Sequence, residues 1–340
     1  MSLYLTSASL YKYYQSAAGC GPGSSDLLTA IPHDHRPDIS STDSAFLERM
    51  YDIQPPYHTA AAGQSSRVGN KVYRSHVISS RIPNSLFFPA SKSVYVGIPE
   101  LCMLQLAQRL PLEELLMAYY EFCGGYRLNF DGSFGYAERK PLTSRDRATR
   151  FARDAKGAPG AAAMTRALNY MAAGQAASPP ESGIACFFSS PCRIGGAGFS
   201  GAELNYPIQT NQGIRYGDVC WPKHKLVIEY DSNDSHTGAD KINDDAIRRN
   251  QIMAVGWNVL TITSKQFFSL KRMTELIPTV ANLLGKAHRP RVQAYSIKQA
   301  KLYRAATSQM THQEIDELMR QPRLRTARRL EKRAPSLEVD

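Results

Sequence analysis

Three carboxylates that lie close together in the sequence are the residues of this chain best suited to chemistry. Glu229 and Asp231 end an apolar run, Leu226-Val227-Ile228, and Asp218 lies in the segment before it. Alternate side chains of a strand project from one face, so Glu229 and Asp231 are expected to point the same way. Clustered carboxylates repel one another, and a divalent cation such as Mg²⁺, which prefers oxygen ligands, relieves that repulsion. The spacing therefore predicts a metal site that could activate water for hydrolysis.

Two strands, residues 214–220 and 226–231, are predicted to position these acids as a hairpin. If Lys223-His224 forms the loop, Asp218 lies directly opposite Glu229. If the turn centres one residue earlier, Asp218 lies diagonal to Glu229 on the same face. Either register gathers the three carboxylates, whereas a turn centred on a single residue would separate them. Acids on an exposed hairpin can serve solubility alone, but the apolar run before Glu229 favours a buried strand.

Further polar residues surround this hairpin. His236 follows it in a polar loop and could act as a general base or hydrogen-bond a phosphate, although a lone loop histidine is often incidental. Lys223 and Lys225, at the turn, could contact a nucleic-acid backbone, although a solvated turn is the default for such residues. Asp231 could bind metal, orient water, or pair with Lys225 or Arg248.

The amino-acid composition indicates which kinds of molecule this protein could bind. The 340 residues carry 41 Lys and Arg against 30 Asp and Glu, a formal net charge of +11. This excess favours a polyanionic partner, of which nucleic acid is the commonest, although many cytosolic proteins are basic for solubility alone. The six cysteines are scattered with no Cys-x-x-Cys pair, which argues against a zinc site. No apolar run is long enough to span a bilayer and no secretory signal is recognisable, so a cytoplasmic protein is expected.

The acids also belong to a longer pattern that resembles a known family. Its parts are Gly217-Asp218, ten further residues, Glu229-Tyr230-Asp231, His236, Asp245-x-x-Arg248 and Gly256-Trp257-Asn258-Val259-Leu260. Together they resemble the PD-(D/E)XK nuclease superfamily, and within it the large bacterial branch related to the very-short-patch-repair endonuclease. The resemblance covers roughly residues 179–285.

The resemblance implies roles for individual residues. Asp218 and Glu229 would be ligands of Mg²⁺ or Mn²⁺. The wider superfamily often has Lys two residues after the Glu. Here that residue is Asp231, as in the repair-endonuclease branch, with His236 as the compensating polar group. Ser232 stands where the branch usually has Gly.

The family pattern adds two helix positions to the site. Glu181 would support the metal site, or it is simply a first-turn Glu that stabilises its helix dipole. Arg248 would face the active centre and contact the phosphate, with Arg249 beside it as a further DNA-binding residue. The alternative for Arg248 is a local ion pair with Asp244 or Asp245.

The N-terminal half carries a fainter resemblance. The segments His76-Val77-Ile78, 93–100 (Ser-Val-Tyr-Val-Gly-Ile-Pro-Glu) and 124–126 (Gly-Gly-Tyr) are among those similar to the middle of abortive-infection-type antitoxin proteins. In those proteins a winged-helix N-terminus precedes a nuclease-like domain. Residues 1–60 show no clear helix-turn-helix, so the resemblance does not extend to the DNA-binding winged helix of those proteins.

Three parts are predicted along the chain. Residues 1–175 form a mainly helical N-terminal α+β recognition or regulatory region. Residues 176–287 form an α/β domain of the restriction-endonuclease-like class, with a central mixed sheet flanked by helices. Residues 288–340 form a basic helical tail.

The sequence also predicts individual helices and strands within these parts. In the N-terminal region we expect a helix within 3–15, a helix capped by Ser44, a loop over 55–69, and strands at 71–79 and 93–96. In the nuclease-like region the expected elements are helices at 181–189, 240–254 and 270–284, the last broken at Pro278, and a strand at 257–263. The order strand, helix, strand implies a parallel crossover.

Three functions are compatible with these patterns. The first is a metal-dependent DNA endonuclease in repair, restriction or phage defence. The second is a catalytically inactive nuclease fold that serves as a DNA-binding regulator or antitoxin of a toxin–antitoxin system. The third is a protein-binding antitoxin whose basic surface meets an acidic partner. The joint presence of Asp218, Glu229, Asp231 and His236 favours the first.

Overall fold

Two mixed β-sheets, each flanked by helices, organise the chain, so the α/β class expected from the sequence is confirmed. The computed structural model describes residues 2–23, 25–128, 135–231, 239–308 and 319–320. The chain divides into two units. The first comprises 1–115, 146–165 and 310–340, and the second comprises 116–145 and 166–309. Among the described residues, no helix is long and apolar enough to cross a membrane.

The described residues form twelve strands and twelve α-helices. The strands are β1 Leu3–Leu5, β2 Tyr57–Ala61, β3 Tyr73–Val77, β4 Phe87–Pro89, β5 Val94–Gly97, β6 Tyr126–Leu128, β7 Tyr136–Glu138, β8 Ala173–Gly174, β9 Glu203–Thr210, β10 Gly213–Trp221, β11 Leu226–Asp231 and β12 Asn258–Thr263. The helices are α1 Ser7–Gln15, α2 Ser41–Tyr51, α3 Pro99–Leu106, α4 Leu112–Cys123, α5 Arg145–Asp154, α6 Ala161–Tyr170, α7 Pro179–Ser189, α8 Ala239–Ala254, α9 Ser264–Phe267, α10 Leu270–Glu275, α11 Ile277–Leu283 and α12 Tyr295–Ser308.

The sheet of the first unit has the strand order β3-β2-β1-β5-β4. Its central strand β1 runs parallel to β5 and antiparallel to β2. Two sequence expectations are wrong here: residues 3–5 form this strand rather than the start of a helix, and 57–61 form β2 rather than a loop. All residues of both strands are buried, so neither shows the alternation of a half-exposed strand. The helix expected to begin after Ser44 instead begins at Ser41, because Ser40 caps it by accepting a hydrogen bond from the backbone N–H of Asp43.

The sheet of the second unit has the order β12-β11-β10-β9-β8. Strands β9, β10 and β11 form an antiparallel meander, and β12 returns parallel to β11 after α8, which confirms the expected parallel crossover. The hairpin pairs Val219 with Ile228 and Trp221 with Leu226. Continuing this register sets position 218 opposite 229, which is the first of the two registers predicted from the sequence.

Helices cover both faces of this second sheet. Ile252 of α8 packs in a buried cluster with Ile208, Cys220 and Val227. On the opposite face, Tyr230 packs edge-on against Phe267 of α9, with ring centroids 5.6 Å apart. Because successive strand residues alternate between faces, Glu229 projects on the same side as Val227, toward α8.

Helix boundaries in this unit follow local signals. Ser178 caps α7 by accepting a hydrogen bond from the backbone N–H of Glu181, and two prolines follow in the first turn. Helix α8 ends before Gly256, whose φ of +81° is the left-handed conformation that glycine adopts most easily. The expected break at Pro278 is confirmed, because α11 begins at Ile277 with this proline in its first turn.

Candidate functional site: a buried carboxylate pair

Two strands bring Asp218 and Glu229 together at the centre of the second sheet. Asp218 lies on β10 and Glu229 on the neighbouring β11, where the hairpin register sets them opposite each other. Asp218 Oδ2 accepts a hydrogen bond of 2.8 Å from the backbone N–H of Tyr230, which anchors the carboxylate to β11. The acid pair is therefore held by the hairpin itself.

Burial makes this pair electrostatically costly. The Glu229 side chain is 16% exposed, and its Oε1 is buried without a hydrogen-bond partner. Burial, followed by the charge of Asp218, raises the pKa of Glu229 to about 7. Burial also raises the pKa of Asp218. A bound cation would supply a partner to the buried oxygen and offset the repulsion, so the residues present fit a divalent metal.

The pair is not part of a larger ligand cluster. Within the described ranges, no group of three or more His, Cys, Asp or Glu side chains is arranged to hold a metal ion. Asp231, the third acid of the predicted cluster, ends β11 opposite Thr263 of β12. His236 lies outside the described residues. Of the acids predicted to hold a metal, the structure thus brings together Asp218 and Glu229.

Arg248 reaches this pair from α8. Its Nη2 lies 3.0 Å from Glu229 Oε2, and the same nitrogen donates to the carbonyl oxygen of Tyr216. The sequence suggested a phosphate contact or a local pair with Asp244 or Asp245; the structure joins Arg248 to Glu229 across the fold. The charges of Arg248 and, more weakly, its neighbour Arg249 lower the pKa of Glu229 and partly oppose the effect of burial.

Glu181 occupies the first-turn position of α7 that the sequence indicated, and the charge of Asp218 acts on it. It is buried in the first turn of α7, where its carboxylate accepts hydrogen bonds from the Ala177 N–H at 2.8 Å and the Ser178 hydroxyl at 2.8 Å. Asn205 Nδ2 donates a third bond at 3.0 Å. Burial, followed by the charge of Asp218, raises its pKa to about 7. Glu181 therefore caps its helix while contributing negative potential at the acid pair.

Asn205 is a site residue that the sequence did not reveal. It has a φ of +48° within β9, and its side chain also donates to the carbonyl oxygen of Gln175 at 2.6 Å. Asn is among the few residues that tolerate this left-handed conformation. A lone Asn inside a strand pattern gives no signal of this bend.

A second missed element is the hairpin β6–β7. Tyr126 is buried and donates a hydrogen bond of 3.0 Å to the hydroxyl of Ser182 on α7, next to Glu181. Tyr136 packs edge-on against Tyr126, with centroids 6.2 Å apart, and is 47% exposed. Burial raises the pKa of Tyr136, and the charges of Glu181, Glu138 and Asp218 raise it further. An exposed aromatic ring therefore lies near enough to Glu181 and Asp218 for their charges to act on it.

The two hairpin lysines differ in environment. Lys225 adopts a φ of +47°, and its Nζ donates to the carbonyl oxygen of Val255 at the end of α8, at 3.2 Å. Its own carbonyl oxygen accepts the N–H of Asn258 at 2.7 Å, so Lys225 ties the turn to the start of β12. Lys223 is exposed on the turn. Of the two lysines predicted to contact DNA, Lys225 therefore stabilises the turn through its own hydrogen bonds, whereas Lys223 is exposed to solvent.

The arrangement offers a buried acid pair, an arginine from α8 and an exposed tyrosine. Comparison of the chain with models of protein families, with curated proteins and with solved structures gave no match. The chemistry of the site therefore rests on its own geometry.

Proposed function

We propose that the second unit is a metal-dependent DNA endonuclease in which Asp218 and Glu229 hold Mg²⁺ or Mn²⁺. The observation that carries this proposal is the buried Oε1 of Glu229, which has no hydrogen-bond partner beside a second buried carboxylate. The resemblance to PD-(D/E)XK nucleases and the net charge of +11 support the same function.

Each residue of the site would have a separate role in the reaction. A bound divalent cation supplies an activated water and offsets the charge of a phosphodiester under attack. Asp218 and Glu229 hold that cation, and Glu181 keeps the local potential negative. Arg248, whose side chain is 37% exposed, presents a guanidinium that can hydrogen-bond a phosphate. Repair, restriction and phage defence are the settings that the resemblance suggests for such a reaction.

Nicking of supercoiled plasmid tests the proposal. Purified wild-type protein is incubated with Mg²⁺, Mn²⁺ or EDTA, beside an Asp218→Ala/Glu229→Ala variant. The expected result is metal-dependent nicking that the double variant lacks. An Asp244→Ala/Glu275→Ala variant is the matched control, because it removes two exposed acids from α8 and α10 and changes the net charge equally. Wild-type protein that nicks neither plasmid nor single-stranded DNA with any metal would contradict the proposal.

Tyr136 is expected to strengthen binding of single-stranded DNA. Its ring is half exposed and lies within the electrostatic influence of Glu181 and Asp218, and stacking of one base on an aromatic side chain contributes about 1–3 kcal/mol. A Tyr136→Ala variant should lose that amount of binding free energy, whereas Tyr136→Phe, which keeps the ring, should bind like wild type. Fluorescence anisotropy of a labelled oligonucleotide in EDTA measures both. Equal affinity of the alanine variant and wild type would rule out stacking at this position.

A second candidate is a catalytically inactive DNA-binding regulator, in the manner of an antitoxin. Its support is the ion pair between Arg248 and Glu229, which commits one acid oxygen to an arginine, together with the lack of a three-ligand group among the described residues. Salt-sensitive DNA binding without nicking would favour this candidate. Absence of DNA binding would instead favour an antitoxin that binds an acidic protein partner.

A further inference from the structure

The first unit contains a small polar cavity that none of the functions above uses. Its volume is about 130 Å³, and it lies among the start of α1, strand β3 and the end of α3. The polar side chains that line it are Ser7, His76, Ser79, Gln105, Gln108 and Arg109. Of the described residues that line the cavity, none is acidic. The cavity is therefore a cationic environment rather than a metal site.

Ser7 is held at the cavity in an unusual conformation. Its φ is +52°, a region that residues other than glycine rarely adopt. The amide of Gln105 fixes this turn, because its Oε1 accepts the backbone N–H of Ser7 at 2.8 Å and its Nε2 donates to the hydroxyl of Thr6. Gln105 thus acts as a positioning residue that sets the hydroxyl of Ser7 against the cavity.

Positive charge concentrates behind His76. Its Nε2 lies 2.9 Å from Nδ1 of the buried His58. Burial, followed by the positive charges of His76, Arg74, Arg320 and Arg109, lowers the pKa of His58 to about 3. The charges of these residues therefore act together on His58, and two of them, His76 and Arg109, also line the cavity.

We propose that this cavity binds the phosphoryl group of a small ligand, either inorganic phosphate or a phosphate monoester. The donors are the guanidinium of Arg109, the imidazole of His76 and the hydroxyl of Ser7, which donates to the carbonyl oxygen of Met319 at 3.4 Å and would exchange this long contact for a phosphoryl oxygen. They come from three separate elements, which suits a tetrahedral anion with several acceptor oxygens better than a flat carboxylate. The volume equals that of roughly four water molecules, which admits a phosphoryl group but excludes a complete nucleotide.

Titration of the full-length protein with inorganic phosphate tests this assignment. The readout is the imidazole resonances of His58 and His76, assigned with His58→Gln and His76→Gln variants, at constant ionic strength. Saturable shifts of both resonances are expected in wild type. Arg109→Gln should weaken binding by about tenfold or more, the loss of one charge-assisted contact. Arg49→Gln, which removes one exposed arginine from α2, should bind like wild type.

Two further variants keep the test decisive. Arg109→Lys retains the charge but not the planar fork, and it should lose less affinity than Arg109→Gln. The Asp218→Ala/Glu229→Ala variant should bind phosphate like wild type, which separates this cavity from the proposed nuclease site. Shifts that do not saturate, or equal losses in Arg109→Gln and Arg49→Gln, would overturn the proposal.

Discussion

A Glu229→Gln variant loses metal-dependent cleavage by about 10³-fold or more and gains stability at alkaline pH. The loss is expected because a metal ligand that stabilises transition-state charge contributes several kcal/mol, and about 4 kcal/mol corresponds to 10³ in rate. The amide keeps the size of the side chain, and its oxygen can still accept from Arg248. Rates of plasmid nicking with Mg²⁺ measure the first effect.

The stability gain follows from proton linkage. The pKa of Glu229 is raised from 4.5 to about 7 in the folded protein, so the folded state holds its proton more firmly than the unfolded chain. Wild-type stability therefore falls as pH rises from about 4.5 to about 7, and the glutamine variant avoids this loss. Urea unfolding in EDTA at about pH 5 and about pH 8 should show the variant gaining relative to wild type at the higher pH.

Glu275→Gln is the matched control, since it makes the same chemical change at an exposed position of α10. It should leave both cleavage and the pH dependence of unfolding unchanged. A Glu229→Gln protein that nicks plasmid at the wild-type rate would remove Glu229 from the proposed site. A stability difference that is equal at both pH values would show that Glu229 does not carry the raised pKa.

Gly217→Ala is expected to destabilise the protein by about 1–3 kcal/mol and to reduce cleavage with it. An added Cβ would lie 2.5 Å from Cys220 Sγ and 2.6 Å from Val227 Cγ2, and both neighbours are fully buried. Strand β10 must move to relieve these contacts, and the next residue is Asp218. Urea unfolding and plasmid nicking measure the two effects.

Two comparisons isolate the cause. Gly69→Ala should be nearly neutral, because its added Cβ meets open space. Cys220→Ala should partly rescue Gly217→Ala, since it removes the closer of the two clashing atoms while the Val227 contact remains. A Gly217→Ala protein as stable as wild type would contradict the tight packing between β10 and β11.

Three strands of the second sheet, β10, β11 and β12, were predictable because their signals are local. The apolar run before Glu229, the turn that contains Pro222 and the glycine after α8 each specify an element within a few residues. The hairpin then leaves a choice between two registers, and both place Asp218 near Glu229. The acid pair could therefore be predicted from the sequence before any tertiary contact was known.

The first sheet was less predictable because its inner strands are short and fully buried. Strand β1 has three residues, and β2 contains the polar residues His58 and Thr59 in a wholly buried stretch. Alternation, which is the main signal of a strand, is absent from both. His58 of β2 is accommodated by a tertiary contact, its hydrogen bond with His76, which local sequence does not show.

The rest of the site depends on packing between distant segments. Arg248 meets Glu229 only because α8 packs on the face toward which Glu229 points. Asn205 and Tyr136 come from β9 and β7, where neither has a distinctive local pattern. The sequence indicates which residues can do chemistry. That Arg248, Asn205 and Tyr136 lie near them depends on how distant segments pack together.

The hairpin that holds the acid pair also bears on how the chain folds. Asp218 and Glu229 are eleven positions apart, whereas Arg248 joins them from a helix nineteen positions further along. Closing the shorter loop costs less chain entropy, so the hairpin is favoured to form before α8 docks. Two like charges would then meet in the transition state before their compensating arginine arrives. We therefore expect their repulsion to slow folding as pH rises through about 7 and to leave the unfolding rate largely unchanged.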